Sequence, residues 1–353
     1  MRSARGHPAL QHGTVTAGGG ITCNNSPGLL ALTTLKQRPG RHRGRLMRPP
    51  GRCHRNRLAL TRICLESLLA RTPPGYALTI VDNGSEDGSR EYLQSLAAAH
   101  AHIRLKLLSR NMGVSVAANL AWDDAADDDF YIKLDNDVEI LDPLWLERLT
   151  RLLAQNPQVG MAAYRLCDWH EPSRQPLVLR DGGEAELTTV CGGGCVCIPR
   201  AVYERLGFWN EGYGRYGHED QDYSWRARKA GYALASVAAE GMVRHLGYAE
   251  GMVDADIERG KKTSNQARLS GDTAYYLNLL LFDEGLLPLR MIRKYLPSEA
   301  EGRISFVLNP AYRPVQKLLN TLARTVEVDA SGELSRLDLS AWRQGASKYE
   351  SEP

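Results

Sequence analysis

No acidic residue stands ahead of Glu66 and no Phe, Tyr or Trp ahead of Tyr76, although twelve lysines and arginines precede Glu66. A basic arm of this kind can attract nucleic acid or anionic lipid. Without aromatic side chains it has nothing on which bases could stack, and nucleic acid is not an expected partner. With twelve of the 44 basic residues placed there, the remainder holds 32 against 41 acidic ones, so the net charge of +3 conceals an acidic body. No apolar run reaches the roughly 18 residues of a membrane span. The N-terminus carries Arg2 and Arg5 but no apolar stretch of a secretory signal. Seven cysteines, an odd number at no framework spacing, exclude a disulfide scaffold and point to a reducing compartment. The expected location is the cytoplasm, with the inner face of the membrane as a variant of it. There are no internal repeats. At 353 residues, 43% hydrophobic and 24% charged, the composition is that of a globular protein of one large or two smaller domains.

What the chain does have is a pair of carboxylates closing an apolar segment. Residues 130–134 run into Asp135-Asn136-Asp137-Val138. In an extended backbone, side chains two apart project from the same face. Asp135 and Asp137 can therefore converge where a strand leaves its sheet. Hard divalent cations favour such oxygen ligands, taking one or two from the protein and others from substrate phosphate. The competing account is that Asp and Asn end strands because they favour turns. Upstream, residues 77–81 read as a buried strand closed by Asp82-Asn83-Gly84-Ser85-Glu86-Asp87-Gly88-Ser89, where Asn-Gly and Asp-Gly mark tight turns. A helix over 89–99, a strand over 103–108, a turn at Asn111-Met112-Gly113 and a small-residue helix over 114–122 follow. Strands alternating with helices of this length imply an α/β fold of parallel units, its sheet covered on both faces. Ligands in such sheets sit beyond the carboxyl ends of the strands. Asp82 and Asp135 both fall there.

In order along the chain, these motifs resemble those of family 2 glycosyltransferases with the GT-A fold: Val81-Asp82-Asn83-Gly84-Ser85, Asn111-Met112-Gly113 through Ala118-Asn119, and Leu134-Asp135-Asn136-Asp137. The likeness continues through Arg200 to Glu211, His218-Glu219-Asp220-Gln221-Asp222-Tyr223-Ser224-Trp225-Arg226, Gly231-Tyr232 and His245. It covers about residues 56 to 248. It implies a Rossmann-like, mixed, mainly parallel sheet flanked by helices, with a helical C-terminal extension. The implied chemistry is transfer of a sugar from a nucleotide-diphosphate donor to an acceptor hydroxyl, inverting and dependent on Mn²⁺ or Mg²⁺. By this resemblance Asp137 ligates the metal, Asp135 contacts the metal or the ribose, and His245 faces the metal-diphosphate site. Asp82 contacts the base or ribose, and Asn83, Asn111, Gly113 and Asn119 belong to the nucleotide site. An inverting step needs a base for the attacking hydroxyl, and the resemblance assigns it to Asp220, with Glu219 orienting base or acceptor. On residues alone, acids at a helix N-terminus are equally favoured by its dipole and free N–H groups. Asp222 and Arg226, four apart, read as a surface ion pair. The implied partners are a nucleotide sugar and a glycan, lipid-linked or protein acceptor. Two other classes stay open: nucleotidyl transfer, which needs a basic phosphate-gripping loop not visible here, and a catalytically silent nucleotide-sugar-binding or scaffold protein.

Two further motifs have plainer readings. Gly212-Tyr213-Gly214-Arg215-Tyr216-Gly217 fits the dinucleotide pattern, but that pattern has meaning only between a strand and its helix. Phe208-Trp209-Asn210-Glu211 is a poor strand, so a mobile glycine-rich loop beside the catalytic acids is expected instead. Cys191-Gly192-Gly193-Gly194-Cys195-Val196-Cys197 lacks the paired spacing of a zinc site. Buried reduced thiols in a glycine-weakened strand are expected, with the glycines letting backbone approach the donor sugar.

The chain divides at about residues 55 and 250. Residues 56–250 form the GT-A domain. Residues 1–55 are a Gly-, Pro- and Arg-rich leader where the family has a buried first strand. Residues 49–56 cannot supply that strand, so the leader is expected to be disordered or outside the native reading frame, or else 20–25 or 29–35 is recruited. After His245, residues 251–268 are a polar excursion. Residues 273–286, 287–296 and 315–323 carry apolar residues at helical or mixed basic spacing, ahead of a frayed tail over 331–353. The basic amphipathic stretches suit packing on the catalytic domain or in a homo-oligomer, with peripheral membrane contact as the alternative.

Overall fold

The computed structural model describes residues 31–34, 52–54, 58–73, 78–123, 130–166, 175–179, 184–215, 217–246, 271–300, 303–322, 327–328 and 334–336. Strands β1 (Ala31–Thr34) and β2 (Arg52–His54) precede α1 (Leu58–Arg71). The alternating units follow: β3 (Leu78–Asp82), α2 (Ser89–Ala99), β4 (Ile103–Leu107), α3 (Val114–Trp122) and β5 (Phe130–Leu134). Then come β6 (Val138–Ile140), α4 (Trp145–Gln155), β7 (Val159–Arg165), β8 (Pro176–Val178), β9 (Glu184–Leu187) and β10 (Cys195–Pro199). Helices α5 (Arg200–Leu206) and α6 (Glu219–Lys229) lead to β11 (Ala233–Ala238) and β12 (Val243–His245). Ten of these strands form one mixed sheet in the order β4-β3-β2-β1-β5-β10-β7-β11-β9-β8. All but β1, β9 and β10 run in one direction, which is the expected mainly parallel α/β architecture.

Both faces of this sheet are covered. Every residue of β3 and of β5 is buried, as expected of strands sandwiched between helices. Alternation still sorts their side chains. Ile132 and Leu134 join Cys64, Leu65, Leu68, Leu93 and Trp145 in a core beneath α1, α2 and α4. Tyr131 points the other way, into a core with Trp122, Val196, Trp209 and Tyr223 beneath α3, α5 and α6. Lys133 shares Tyr131's side of the strand. It is 1% exposed, a charge inside an otherwise apolar strand.

The slot of the missing first strand is filled from the leader. β1, within the 29–35 stretch, lies between β3 and β5, but reversed: Leu32 is level with Thr79 on one side and Lys133 on the other. β2 runs parallel to β3, with His54 opposite Asp82. This corrects the expectation that 49–56 contributes no strand. Three residues suffice for such a rung because its ladder bonds are backbone bonds, which need no apolar alternation. The alternative at 20–25, the excursion over 251–268 and most of the tail lie outside the described residues.

The C-terminal extension packs as a third core of Leu277, Leu281, Phe282, Leu287, Met291, Tyr312, Leu318, Leu319 and Leu322. Helix α7 (Gly271–Asp283) matches the expectation for 273–286, and α8 (Arg313–Leu322) that for 315–323. The stretch 287–296 is not an amphipathic helix. Gly285, at φ 71°, ends α7, and Pro288 bars its continuation. The chain then runs irregularly into a hairpin of β13 (Tyr295–Ala300) and β14 (Arg303–Leu308). The extension is sewn to the body through backbone groups: Phe208 N–H donates to Met291 C=O at 3.1 Å, and Met291 N–H to Leu206 C=O at 2.8 Å.

Two more expectations are corrected here. Asp222 and Arg226 are not a surface pair: both side chains have no exposed area, and Arg226 Nε donates to Asp222 Oδ1 at 2.6 Å. The rest of the guanidinium donates to the carbonyls of Leu206, Leu289 and Phe208, while Asn210 and Tyr213 donate to Asp222 Oδ2. The pair thus holds α5, α6 and the extension together. Nor is the glycine-rich segment loose where it is described. Glu211–Tyr213 is a buried single turn, and Val114 N–H donates to Arg215 C=O at 3.1 Å. Gly113, at φ 95°, lies so close beneath that a Cβ there would collide with the Gly214 carbonyl. Sequence spacing gave no sign of this contact, which is made between segments a hundred residues apart.

Arg226→Ala should lower unfolding stability by about 3–5 kcal/mol in urea titration, because it strands a buried carboxylate. Arg244→Ala, which breaks the exposed Arg244–Glu139 pair, should cost about 1 kcal/mol or less. Gly113→Ala should destabilise by more than the roughly 1 kcal/mol of a simple glycine replacement. A neutral effect would mean that the glycine-rich segment is free of the body after all.

Candidate active site

The site begins at Lys133. Its ammonium donates to Asp135 Oδ1 at 3.1 Å and to the Gly193 carbonyl at 2.6 Å, with the Trp209 ring centroid 5.8 Å away. Gly193 N–H in turn donates to Asp220 Oδ2 at 3.2 Å. Asp135 N–H donates to the Gly194 carbonyl at 2.7 Å, which extends the β5–β10 pairing past the end of both strands. A Cβ on Gly193 would lie 2.5 Å from the Lys133 ammonium and 3.6 Å from Asp220 Cβ. That is the physical need for glycine here. The backbone between Cys191 and Cys195 therefore joins Asp135 and Asp220, which are 85 positions apart in sequence, in one site. Cys191, Cys195 and Cys197 are buried free thiols, as expected.

Helix α6 presents the second acid. Glu219 and Asp220 form its first turn, 3% and 5% exposed. The residue before them, His218, has φ 64° and is stacked on Tyr275 of α7 with centroids 4.9 Å apart. Glu219 Oε2 accepts from Gly217 N–H at 3.0 Å, and Asp220 Oδ1 from Gln221 N–H at 2.8 Å.

Burial pushes Asp135 up to about 7; Lys133 opposes the shift, and the charges of Asp137 and Glu219 add to it. Burial and then the Asp220 charge raise Glu219. For Lys133 burial acts downward, but Asp135, Glu219 and Asp220 outweigh it and raise the ammonium. The cluster holds one cation against several carboxylates.

Asp137, 1% exposed, follows on the turn after β5. Its Oδ1 lies 3.5 Å from His245 Nε2, and its carbonyl accepts from Leu246 N–H at 2.7 Å. The β6–β12 pairing sets this neighbourhood by placing His245 opposite Val138. Among the described residues no three His, Cys, Asp or Glu side chains sit together closely enough to enclose a cation unaided. Asp135, Asp137 and His245 nevertheless supply oxygen and imidazole donors near the end of β5. That set fits a hard cation whose other ligands come from a phosphate-bearing substrate.

Of the remaining predicted residues, Asp82, Asn83 and Asn111 lie at or after the ends of β3 and β4, Gly113 precedes α3 and Asn119 lies within it. Asp82 is fully buried, accepting from Ser85 N–H and paired with Arg90 Nε at 3.0 Å; burial raises its pKa. Asn83 joins its turn to the next one: its amide donates to Asn111 Oδ1 and to the Gly113 carbonyl, and its oxygen accepts from Met112 N–H. Asn119 braces the turn after α5, accepting from Trp209 N–H and donating to Glu211 Oε1 at 2.8 Å. Two residues escaped the sequence reading. Lys133 was passed over inside an apolar run, although a lysine in a buried strand is itself a signal. Glu211 is 1% exposed, and its Oε2 accepts the Lys294 and Tyr295 N–H groups that anchor the hairpin; no local pattern marks that role.

The sequence model described as "Glycosyl transferase family 2" matches residues 53–207. A curated relative, "Uncharacterized protein y4gI" of Sinorhizobium fredii (strain NBRC 101917 / NGR234), is 26% identical over 204 residues, covering 50% of this chain and 22% of that protein. The chain thus spans about a fifth of the length of that relative. Among solved structures, the mannosyltransferase PcManGT from Pyrobaculum calidifontis in complex with GDP-Man and Mn²⁺ has 14% identity and a TM-score of 0.46, over 85% of this chain and 79% of its own. GalNAc-T7 with UDP, GalNAc and Mn²⁺ has 16% identity and a TM-score of 0.45, over 55% and 42%. Glu219, Asp220 and His245 lie beyond the segment that the family model matches. The matched segment, residues 53–207, holds Asp82, Lys133, Asp135, Asp137 and Gly193, and it is similar to glycosyl transferase family 2 domains.

Proposed function

We propose that the chain moves a sugar from a nucleotide-diphosphate donor to an acceptor hydroxyl, with inversion and with a bound Mn²⁺ or Mg²⁺. The observation that carries the reading is the link from Asp135 through Lys133 and Gly193 to Asp220. A transferase of this kind needs a charge-handling group at the departing diphosphate and a base at the incoming alcohol, held at one fixed separation. A divalent cation would supply Lewis-acid stabilisation of the leaving diphosphate.

Asp137, with His245 beside it and Asp135 next along the turn, would hold that cation. Asp82 and Asn83, with the Asn111–Gly113 turn, would shape the nucleotide side. Asp220 would take the proton from the attacking hydroxyl. Its Oδ2 accepts from Gly193 N–H, which fixes the carboxylate's orientation, and Glu219 in the same helical turn would orient acceptor or base. The acceptor would be a glycan, a lipid-linked saccharide or a protein. Among the described residues no helix is long and apolar enough to cross a membrane.

Asp220→Asn should lower kcat by about 10²–10⁴-fold, the range of a lost general base. Affinity for a nucleoside diphosphate with Mn²⁺ should stay close to that of the parent. Near-parental turnover removes Asp220 from the mechanism. Asp137→Asn should behave differently, losing the Mn²⁺-dependent part of nucleoside diphosphate binding in calorimetry. If the unaltered chain binds no nucleoside diphosphate with or without Mn²⁺, the transferase reading gives way to a silent scaffold.

A further inference from the structure

We propose that Lys133 is a positioning residue, which locks the donor-side carboxylate Asp135 and the acceptor-side carboxylate Asp220 into one rigid unit through the backbone of Gly193. The inference rests on the transferase reading and deepens it. What joins the two carboxylates in the fold is this ammonium and the glycine beneath it. The Lys133 ammonium has three donors. One meets Asp135 Oδ1 and one the Gly193 carbonyl, and the ring of Trp209 lies within cation–π distance. Gly193 then passes the constraint on, donating its N–H to Asp220 Oδ2.

Stability alone gives no reason for a charge at this position. Tyr131, on the same side of β5, packs among Trp122, Val196 and Trp209, and an aliphatic side chain at 133 would suit that core. Replacing buried charge by a well-packed apolar group is often neutral or favourable for stability. The lysine is instead placed where its stem crosses the apolar layer and its head reaches the rim at which both acids stand. A flexible chain of single bonds becomes rigid here because it is 1% exposed and bonded at its tip. The glycine is part of the same device, since any Cβ at 193 would enter the space that the ammonium occupies. A displacement of about 1 Å in reacting groups can cost roughly a hundredfold in rate. A loose Lys133 would let Asp135 and the Gly193–Asp220 contact shift independently.

The test compares the full chain with Lys133→Gln, Lys133→Met, Asp220→Asn and the double variant Lys133→Gln/Asp220→Asn. Release of nucleoside diphosphate from a panel of UDP- and GDP-hexoses with Mn²⁺ is followed below each variant's melting temperature, with folding checked by circular dichroism. Folded Lys133→Gln should lose about a hundredfold in kcat, with a much smaller change in KM for the donor. Added to Asp220→Asn, the same substitution should cost no more than about tenfold, since part of its effect acts through the missing acid. A folded Lys133→Gln with parental kcat and only a lower melting temperature overturns the proposal, as does an undiminished hundredfold loss in the Asp220→Asn background. Failure of both Lys133 variants to fold also overturns it, in favour of a purely structural lysine. An unaltered chain that releases no nucleoside diphosphate defeats the transferase reading itself, and the positioning role with it.

Discussion

A single buried ammonium, bonded to a carboxylate on one side and to a glycine carbonyl on the other, sets the geometry on which this site depends. Charge in a protein interior is expensive unless it is paired and hydrogen-bonded. Lys133 meets both conditions, while burial raises Asp135, with the charges of Asp137 and Glu219 adding to the shift. The arrangement makes sense where more positive charge is to arrive with a ligand. A divalent cation brings that charge in a form that carboxylates at the ends of strands can receive.

The scaffold around this cluster is built from similar long-distance bonds. The Arg226–Asp222 pair ties α6 to α5 and to the extension, so the helix that carries Glu219 and Asp220 is held at its middle as well as at its start. Glu211 reaches from the body to the first residues of the hairpin, and Asn119 holds Glu211 from α3. Each is a buried polar group whose bonding capacity is met by groups far away in sequence. The extension is therefore not an appendage: it completes the burial of residues next to the acids, down to Tyr275 stacked on His218.

Much of this was legible beforehand, for identifiable reasons. Helices α2 and α3 and strand β5 fall where periodicity and turn residues put them, because turn chemistry and apolar spacing are local. The strand-end positions of Asp82, Asp135 and Asp137 follow from the same logic. What escaped was carried by contacts that no local pattern encodes. Arg226 and Asp222 look identical to an exposed i,i+4 pair until the extension covers them. Gly113 beneath Gly214 gives a tight contact that turns a seemingly flexible stretch into a fixed one. The strand over 31–34 lies in the 29–35 stretch that the sequence offered as one alternative, but its reversed pairing between β3 and β5 is set by partners distant in sequence. Lys133 was the missed clue: it stood in plain view as a charged residue inside an apolar run.

The account stands most directly on where a cation goes. Crystals grown with a nucleoside diphosphate and Mn²⁺, measured at the manganese absorption edge, would locate the ion by its anomalous signal. The account predicts one strong peak within coordinating distance of the Asp137 carboxylate, beside His245, with the diphosphate between it and the side on which Asp220 stands. A peak elsewhere on the molecule, or bound nucleotide with no peak at Asp137, would contradict it.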